Sequence, residues 1–141
     1  MSNLDVIETW FKRVYTEEDI SAVDDMMVPA TDARGLADHA LLGPEEFKVF
    51  VRGFLALLTD IDIRIDKSLE EGDWVHVLIS IHAKSRANGQ LVKFPAQIMV
   101  RVVDGILVEG HNTVDFLSMF AQLGLLPEST FSRCFGGERV G

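Results

Sequence analysis

The sequence predicts an α+β domain, and three observations carry that prediction. Apolar residues at helical spacing fill roughly the first 60 residues. Runs rich in β-branched residues follow, from Asp60 to Asp115. Two hairpin signals, Asn88-Gly89 and Asp104-Gly105, join the last three runs as antiparallel neighbours. Helices first and a meander afterwards give an α+β layout in which the helices cover one face of the sheet.

The first helix is predicted from about Asn3 to Glu18. Ile7, Trp10, Phe11, Val14 and Tyr15 form one stripe, Asn3 is the expected N-cap, and Asp5 complements the helix dipole. A second, short helix covers Ile20 to Met27 and is stopped by Pro29. The stretch Ala30–Leu42 is irregular and reads as a loop with a short strand. Gly43-Pro44-Glu45-Glu46 opens a third helix, with proline near its first position and acids in its first turn. Its stripe is Phe47, Phe50, Val51, Phe54, Leu55 and Leu58, and it ends near Thr59.

The first strand run alternates Ile61, Ile63 and Ile65 with charged residues. Trp74–Ser85, Val92–Val103 and Ile106–Asp115 complete the sheet. Pro95 lies near the start of its strand, where a missing N–H is tolerated. Phe116, Leu117, Phe120, Leu123 and Leu126 return to helical spacing, with Asp115 as the expected cap. One domain spanning residues 1–127 is expected, followed by a loosely held tail, 128–141.

Composition limits the function. A formal charge of −9 disfavours nucleic acid and anionic membrane surfaces, both of which are bound mainly through Lys and Arg. A single cysteine, Cys134, allows no internal disulfide framework and points to a reducing, cytoplasmic setting. The N-terminal segment has no secretory pattern, and no apolar run approaches the roughly 20 residues of a membrane span. The four histidines lack His-x-His or His-x-x-x-His spacing, so neither a metal nor another cofactor is expected.

Counting back from two-residue turns sets the faces of the sheet. Ser80 then opposes Gln97, Leu78 opposes Met99, and Gln97 opposes Asn112. One face carries His76, Leu78, Ser80, His82, Gln97, Met99, Arg101, Val108, Gly110 and Asn112. The other is almost wholly aliphatic, with Val75, Val77, Ile79, Ile81, Ile98, Val100, Val102 and Leu107, joined by Glu109 and His111. A one-residue bulge would exchange these sets locally. The aliphatic face is either the core face or an oligomer interface.

Two segments carry a family resemblance. LLGPEEFKVFVRGFLALLTDIDIRI holds a Gly-Pro-led helix and the strand after it. VRVVDGILVEGHNTVDFLSMFAQLGLLP holds an Asp-Gly turn, a Val-Glu strand and a Leu-Gly ending. With the three leading helices, the chain resembles the SnoaL-like polyketide cyclases, within the nuclear-transport-factor-2-like superfamily. The resemblance implies a curved antiparallel sheet wrapped around the N-terminal helices as an α+β barrel or cone. It also implies a small-molecule pocket on the Asn112 face and a homodimer or higher homo-oligomer through the sheet, which would leave the aliphatic face for subunit contacts. In the family's cyclases a His-Trp-Asp triplet follows the Val-Glu pair, and its aspartate is the acid/base of an intramolecular aldol closure. Here the triplet reads Gly110-His111-Asn112, and an amide takes no proton at neutral pH. Arg34 stands where a further family histidine is expected.

The candidate site residues follow from these faces. Asn112, Gln97 and Ser80 would form a polar cluster that holds a substrate oxygen. His82 would be the neighbouring base, with His76 more distant. Arg34 and Asp32 would rim the pocket and bind a carboxylate or orient a base. Asp38-His39 is a weaker dyad on the same loop, and Glu109-His111 an interface pair. Trp10, Phe50, Phe54 and Met99 would line an apolar pocket for a small apolar or aromatic, cyclic molecule. Three functions fit: a cofactor-free cyclase or isomerase for a polyketide-like carbonyl compound, a non-catalytic ligand-binding domain that has lost the aspartate, or an assembly domain.

Overall fold

In the computed structural model, which describes residues 1–141, helix α1, Asn3–Trp10, is capped by Ser2 rather than Asn3. Ser2 Oγ accepts from the Asp5 amide at 3.1 Å, and Asp5 accepts from the Ser2 amide at 3.0 Å. The helix then widens into a π-helical segment, Phe11–Thr16, closed by Glu17 N–H to the Lys12 carbonyl at 2.8 Å. Helix α2 is Ser21–Met26 and helix α3 is Gly43–Leu57. The acids expected at the start of α3 are in place, and the Glu46 carboxylate accepts from the Leu42 amide at 3.1 Å.

Six strands form one curved, unclosed sheet in the order β2-β1-β6-β5-β4-β3. They are β1 Met27–Arg34, β2 Leu41–Leu42, β3 Leu58–Glu71, β4 Trp74–Ser85, β5 Leu91–Val103 and β6 Ile106–Val114. Strands β3 to β6 are the expected antiparallel meander. Strand β1 was expected to be mostly loop; instead it pairs parallel to β6. Its proline falls between the paired positions Met27 and Asp32, where the register shifts and no amide is required. Helix α4, Phe116–Gln122, is capped by Asp115 as expected, through the Ser118 amide at 3.0 Å. The tail contains a further helix, α5, Thr130–Phe135, in which Phe131 and Phe135 pack ring to ring at 5.0 Å.

The aliphatic face is the core face. Val75, Val77, Ile79 and Ile81 of β4, and Val92, Phe94, Ala96, Val100 and Val102 of β5, are all buried in one cluster with Ile7, Trp10, Phe11, Val14, Phe47, Val51 and Phe54 from the helices. Burying each aliphatic side chain stabilises by about 1.5–3 kcal/mol, which is why the helices cover this face. The expectation that it would serve subunit contacts is corrected: the intramolecular helices already occupy it. No helix is long and apolar enough to cross a membrane.

Two turns fix the register, and one differs from the expectation. Asp104-Gly105 is the two-residue turn, with φ of 50° and 77° and Val103 paired with Ile106. Asn88-Gly89 lies inside a longer loop. Ser85 N–H bonds to the Gln90 carbonyl at 2.8 Å, and Asn88 Oδ1 accepts from the Gln90 amide at 3.0 Å. The β4–β5 register therefore slides by two residues: Leu78 pairs with Gln97, His76 with Met99 and Ser80 with Pro95. A slide of two keeps every side chain on its face.

Candidate functional site

A bulge in β6 decides what points into the cone. Val102 pairs with Leu107 but Arg101 pairs with Glu109, so Val108 is the extra residue. Beyond it, every side chain of β6 changes face. Asn112 pairs with Ile98 and Gly110 with Val100, on the core side; His111 pairs with Met99 and Glu109 with Arg101, on the outer side. The expected faces for this half of β6 are thus exchanged. Asn112 does point into the cone, but Gln97, Ser80 and Met99 do not accompany it.

Two small cavities lie between the helices and the sheet. One, of about 40 Å³, is bounded by Trp10 and Phe47 from the helices, Thr31 and Ala33 from β1, and Val100 and Gly110 from the sheet. The other, of about 30 Å³, is bounded by Phe50, Phe54, Ile79, Ala96 and Phe116. Phe11, Tyr15, Ile98 and Asn112 line both and so form the partition. Since a water occupies roughly 10–15 Å³ on this scale, each cavity takes about two or three. A polycyclic ligand does not fit the interior as it stands. Trp10 lines the first cavity, and Phe50 and Phe54 line the second.

Polar atoms inside are few, and each can be followed. Thr31 is satisfied within the sheet: Oγ1 donates to the Leu107 carbonyl at 2.7 Å and accepts from the Val28 amide at 3.1 Å. Asn112 Nδ2 donates to the Arg34 carbonyl at 2.9 Å, tying the end of β1 to β6. Its Oδ1 takes no protein donor. Tyr15 is 8% exposed, and burial alone pushes its phenol well above the ordinary tyrosine value. Its hydroxyl makes no hydrogen bond to protein, yet no side-chain oxygen sealed from solvent lacks a partner. The Tyr15 hydroxyl and Asn112 Oδ1 therefore keep accessible surface. Glu109 also borders the larger cavity, but its carboxylate is directed outward, 2.7 Å from His111 Nε2 and 3.9 Å from Arg101 Nε.

The other candidates lie elsewhere. Asp32 and Arg34 alternate along β1 with Thr31 and Ala33, which face the cavity, so their 3.2 Å ion pair lies on the outer side. Hydrogen bonding to Asp32 holds the Arg34 guanidinium above its usual pKa. His82 and His76 are half-buried on the outer face of β4. Ser80 Oγ donates to Asp66 at 2.6 Å, also outside. The Asp38–His39 pair, at 2.8 Å, is on an exposed loop, where the imidazole hydrogen bond lowers the Asp38 carboxyl. An open groove of about 880 Å³ on the outer face is bordered by Trp74, His76, Met99 and Arg101. The Trp74 and His111 rings lie 6.3 Å apart beside it. Tyr15 belongs to the core stripe to which its spacing assigned it, and it also lines both cavities, which the spacing did not reveal. Its hydroxyl is the only side-chain polar group in that stripe apart from the Trp10 indole N–H.

Structural relatives share this architecture at low identity. A SnoaL-like protein from Jannaschia sp. CCS1 superposes with a TM-score of 0.76 at 18% identity, over 89% of this chain and 93% of that one. A ketosteroid isomerase-like protein from Catenulispora acidiphila, solved with trimethylamine, gives 0.72 at 14%, over 84% and 92%. An epoxide hydrolase from M. tuberculosis gives 0.67 at 16%, over 87% and 90%. At these identities the likeness shows the fold alone. No curated protein matches the chain. Residues 5–123 match the SnoaL-like polyketide cyclase family, so the cone, its N-terminal helices and the β6 strand with Asn112 are those of a member: the chain belongs to the SnoaL-like polyketide cyclases.

Proposed function

We propose that this protein binds a small, uncharged molecule inside the cone and performs no proton-transfer chemistry on it. The observation that carries this reading is the chemistry of the partition. The polar side chains that border the interior are Tyr15, Thr31, Asn112 and Glu109. A phenol held protonated by burial, a hydroxyl and an amide exchange no proton near neutrality, and the Glu109 carboxylate is engaged by His111 on the outer side. The imidazoles and the Arg34–Asp32 pair, which would have supplied a base, are outside the cone. The cavities also favour a ligand of few atoms over a polyketide ester. The trimethylamine held by the Catenulispora relative is a ligand of that size.

We assign homodimer contacts to the outer face of β4 and β5, where Met99 is 43% exposed beside Trp74 and Leu78. The folded unit is taken to end near Pro127, and the lone exposed Cys134 suits a reducing, cytoplasmic setting. A ligand-observed NMR screen of small ketones, esters, arenes and carboxylates tests the binding reading. Uncharged members are expected to bind saturably to the native protein and at least tenfold more weakly to Asn112→Leu. Turnover of an aromatic polyketide ester that disappears in Asn112→Leu would overturn the non-catalytic reading.

A further inference from the structure

Helix α5 carries an aromatic pair that its own chain leaves uncovered. Phe131 and Phe135, one helical turn apart, pack ring to ring at 5.0 Å, yet they are 62% and 82% exposed and neither joins the hydrophobic core. Two such rings offer roughly 300–500 Å² of aromatic surface, and a patch of that size marks a contact with another molecule. The outer face of the sheet carries the counterpart. The open groove of about 880 Å³ continues into a second of about 480 Å³, since Leu69 and His76 border both. Leu69, 73% exposed, lies in this trough with Trp74, Leu78 and Met99. Its end at the β3–β4 turn is rimmed by Glu70, Glu71 and Asp73. Glu71 and Asp73 make no ion pair within the chain, and neither does Arg139, just beyond α5.

We propose that α5 of a second copy of this chain occupies the trough, with Phe131 and Phe135 against Leu69, Trp74 and Met99, and Arg139 against Glu71 and Asp73. This rests on the homodimer contacts assigned above to the outer sheet face and names what fills them. Charge selects the occupant. From Thr130 onward the ionised side chains are Arg133 and Arg139 against the single acid Glu138, whereas the chain as a whole carries −9. A neutral or basic segment meets the acidic rim without the like-charge repulsion that the rest of the surface would bring. Placement fits as well. The tail leaves α4 beside the start of β5, where the Gln122 side chain accepts from the Lys93 amide at 2.9 Å and donates to the Lys93 carbonyl at 2.7 Å. The acidic end of the trough lies beside Arg101, roughly 27 Å further along the same strand. A two-fold axis lying between two facing sheets and crossing their strands sets the tail end of each copy over the trough end of the other. The contact is then made twice and closes at two subunits. A two-fold along the strands would instead gather the acidic rims of both copies at one end.

The single cysteine gives a direct test, because Cys134 lies on α5 and is exposed. Native protein is mixed with the variant Ser68→Cys/Cys134→Ser, whose only thiol is in the trough, and treated with a short bifunctional maleimide. The expected result is a heterodimer joined from Cys134 of one copy to position 68 of the other. Sedimentation equilibrium on the full chain supplies the second readout. Phe131→Asp/Phe135→Asp should raise the dimer dissociation constant by at least about tenfold, the effect of losing aromatic anchors, with the melting temperature of the monomer unchanged. Arg139→Glu should weaken the dimer by about threefold or more. A dimer that yields no heterodimer cross-link overturns the arm and leaves the sheet-face contacts standing, as does an unchanged dissociation constant in Phe131→Asp/Phe135→Asp. Cross-linking only between two Cys134 thiols places the tails together and likewise overturns it. A monomeric parent removes both the arm and the sheet-face contacts.

Discussion

Asn112 and Gly35 are in contact through their backbones, and the contact admits no side chain at residue 35. A methyl group there would lie 1.7 Å from the Asn112 carbonyl oxygen, and Gly35 has φ of +90°. The same segment is tied by Asn112 Nδ2 to the Arg34 carbonyl at 2.9 Å. The floor of the cone and the loop after β1 are therefore one unit. Gly35→Ala should destabilise the protein by about 3 kcal/mol or more, since it combines backbone strain with a backbone clash. Urea unfolding checks this; a loss below about 1 kcal/mol would mean that the loop is not held against β6.

Restoring the family's carboxylate has a cost that depends on pH. In Asn112→Asp, an ionised carboxylate would face the Arg34 carbonyl with no proton to donate, so the folded state should raise its pKa. A group raised in the folded state contributes stability that is fully present below its unfolded pKa, about 4, and is lost as pH rises through the folded value. The variant should match the parent at pH 4 and fall short by about 1–3 kcal/mol at pH 8. Denaturant titrations at the two pH values measure the difference.

Tyr15 predicts an alkaline transition. Burial raises its pKa in the folded state, so above about pH 10 the unfolded chain releases a proton that the folded protein retains. Stability should then fall by about 1.4 kcal/mol per pH unit until the folded value is reached. Absorbance at alkaline pH reports this residue alone, because no other tyrosine is present. No phenolate should appear at pH 10.5 in the native protein, and Tyr15→Phe should lose this component of the alkaline destabilisation. At neutral pH that variant should be at least as stable as the parent, since the hydroxyl serves no protein partner.

The outer sheet face predicts a charge-sensitive assembly. Met99→Glu places a second acid near Glu109, whose strand neighbour Arg101 lies two residues away, and interrupts the exposed surface beside Trp74. Sedimentation equilibrium should show a dimer dissociating at least tenfold more readily than the parent, with unchanged thermal stability of the monomer. A monomeric parent protein would remove this assignment.

Much of this architecture was legible in the residues. The Asp104-Gly105 turn, the Asp115 cap, the Pro44-led helix and the strict alternation of β4 all reflect local rules, and the structure follows them. The exchanged face of Asn112 was not legible, because a bulge is set by tertiary pairing. Isolated Gly110 in an apolar strand was its only local trace. Strand β1 was obscured by Pro29 and by Asp32 and Arg34, since its parallel partner β6 lies far away in sequence. The candidate site divided for the same reason. Trp10, Phe50, Phe54 and Asn112 face the interior, while Ser80, His82, Gln97 and Met99 are on the far side of the same sheet.

The most direct test is a crystal structure of the protein soaked with cyclopentanone. The account predicts density inside the cone, against Phe11, Tyr15, Ile98 and Asn112, which line both cavities. Density only in the outer groove beside Trp74 and Met99, with the cone interior unchanged, would contradict it.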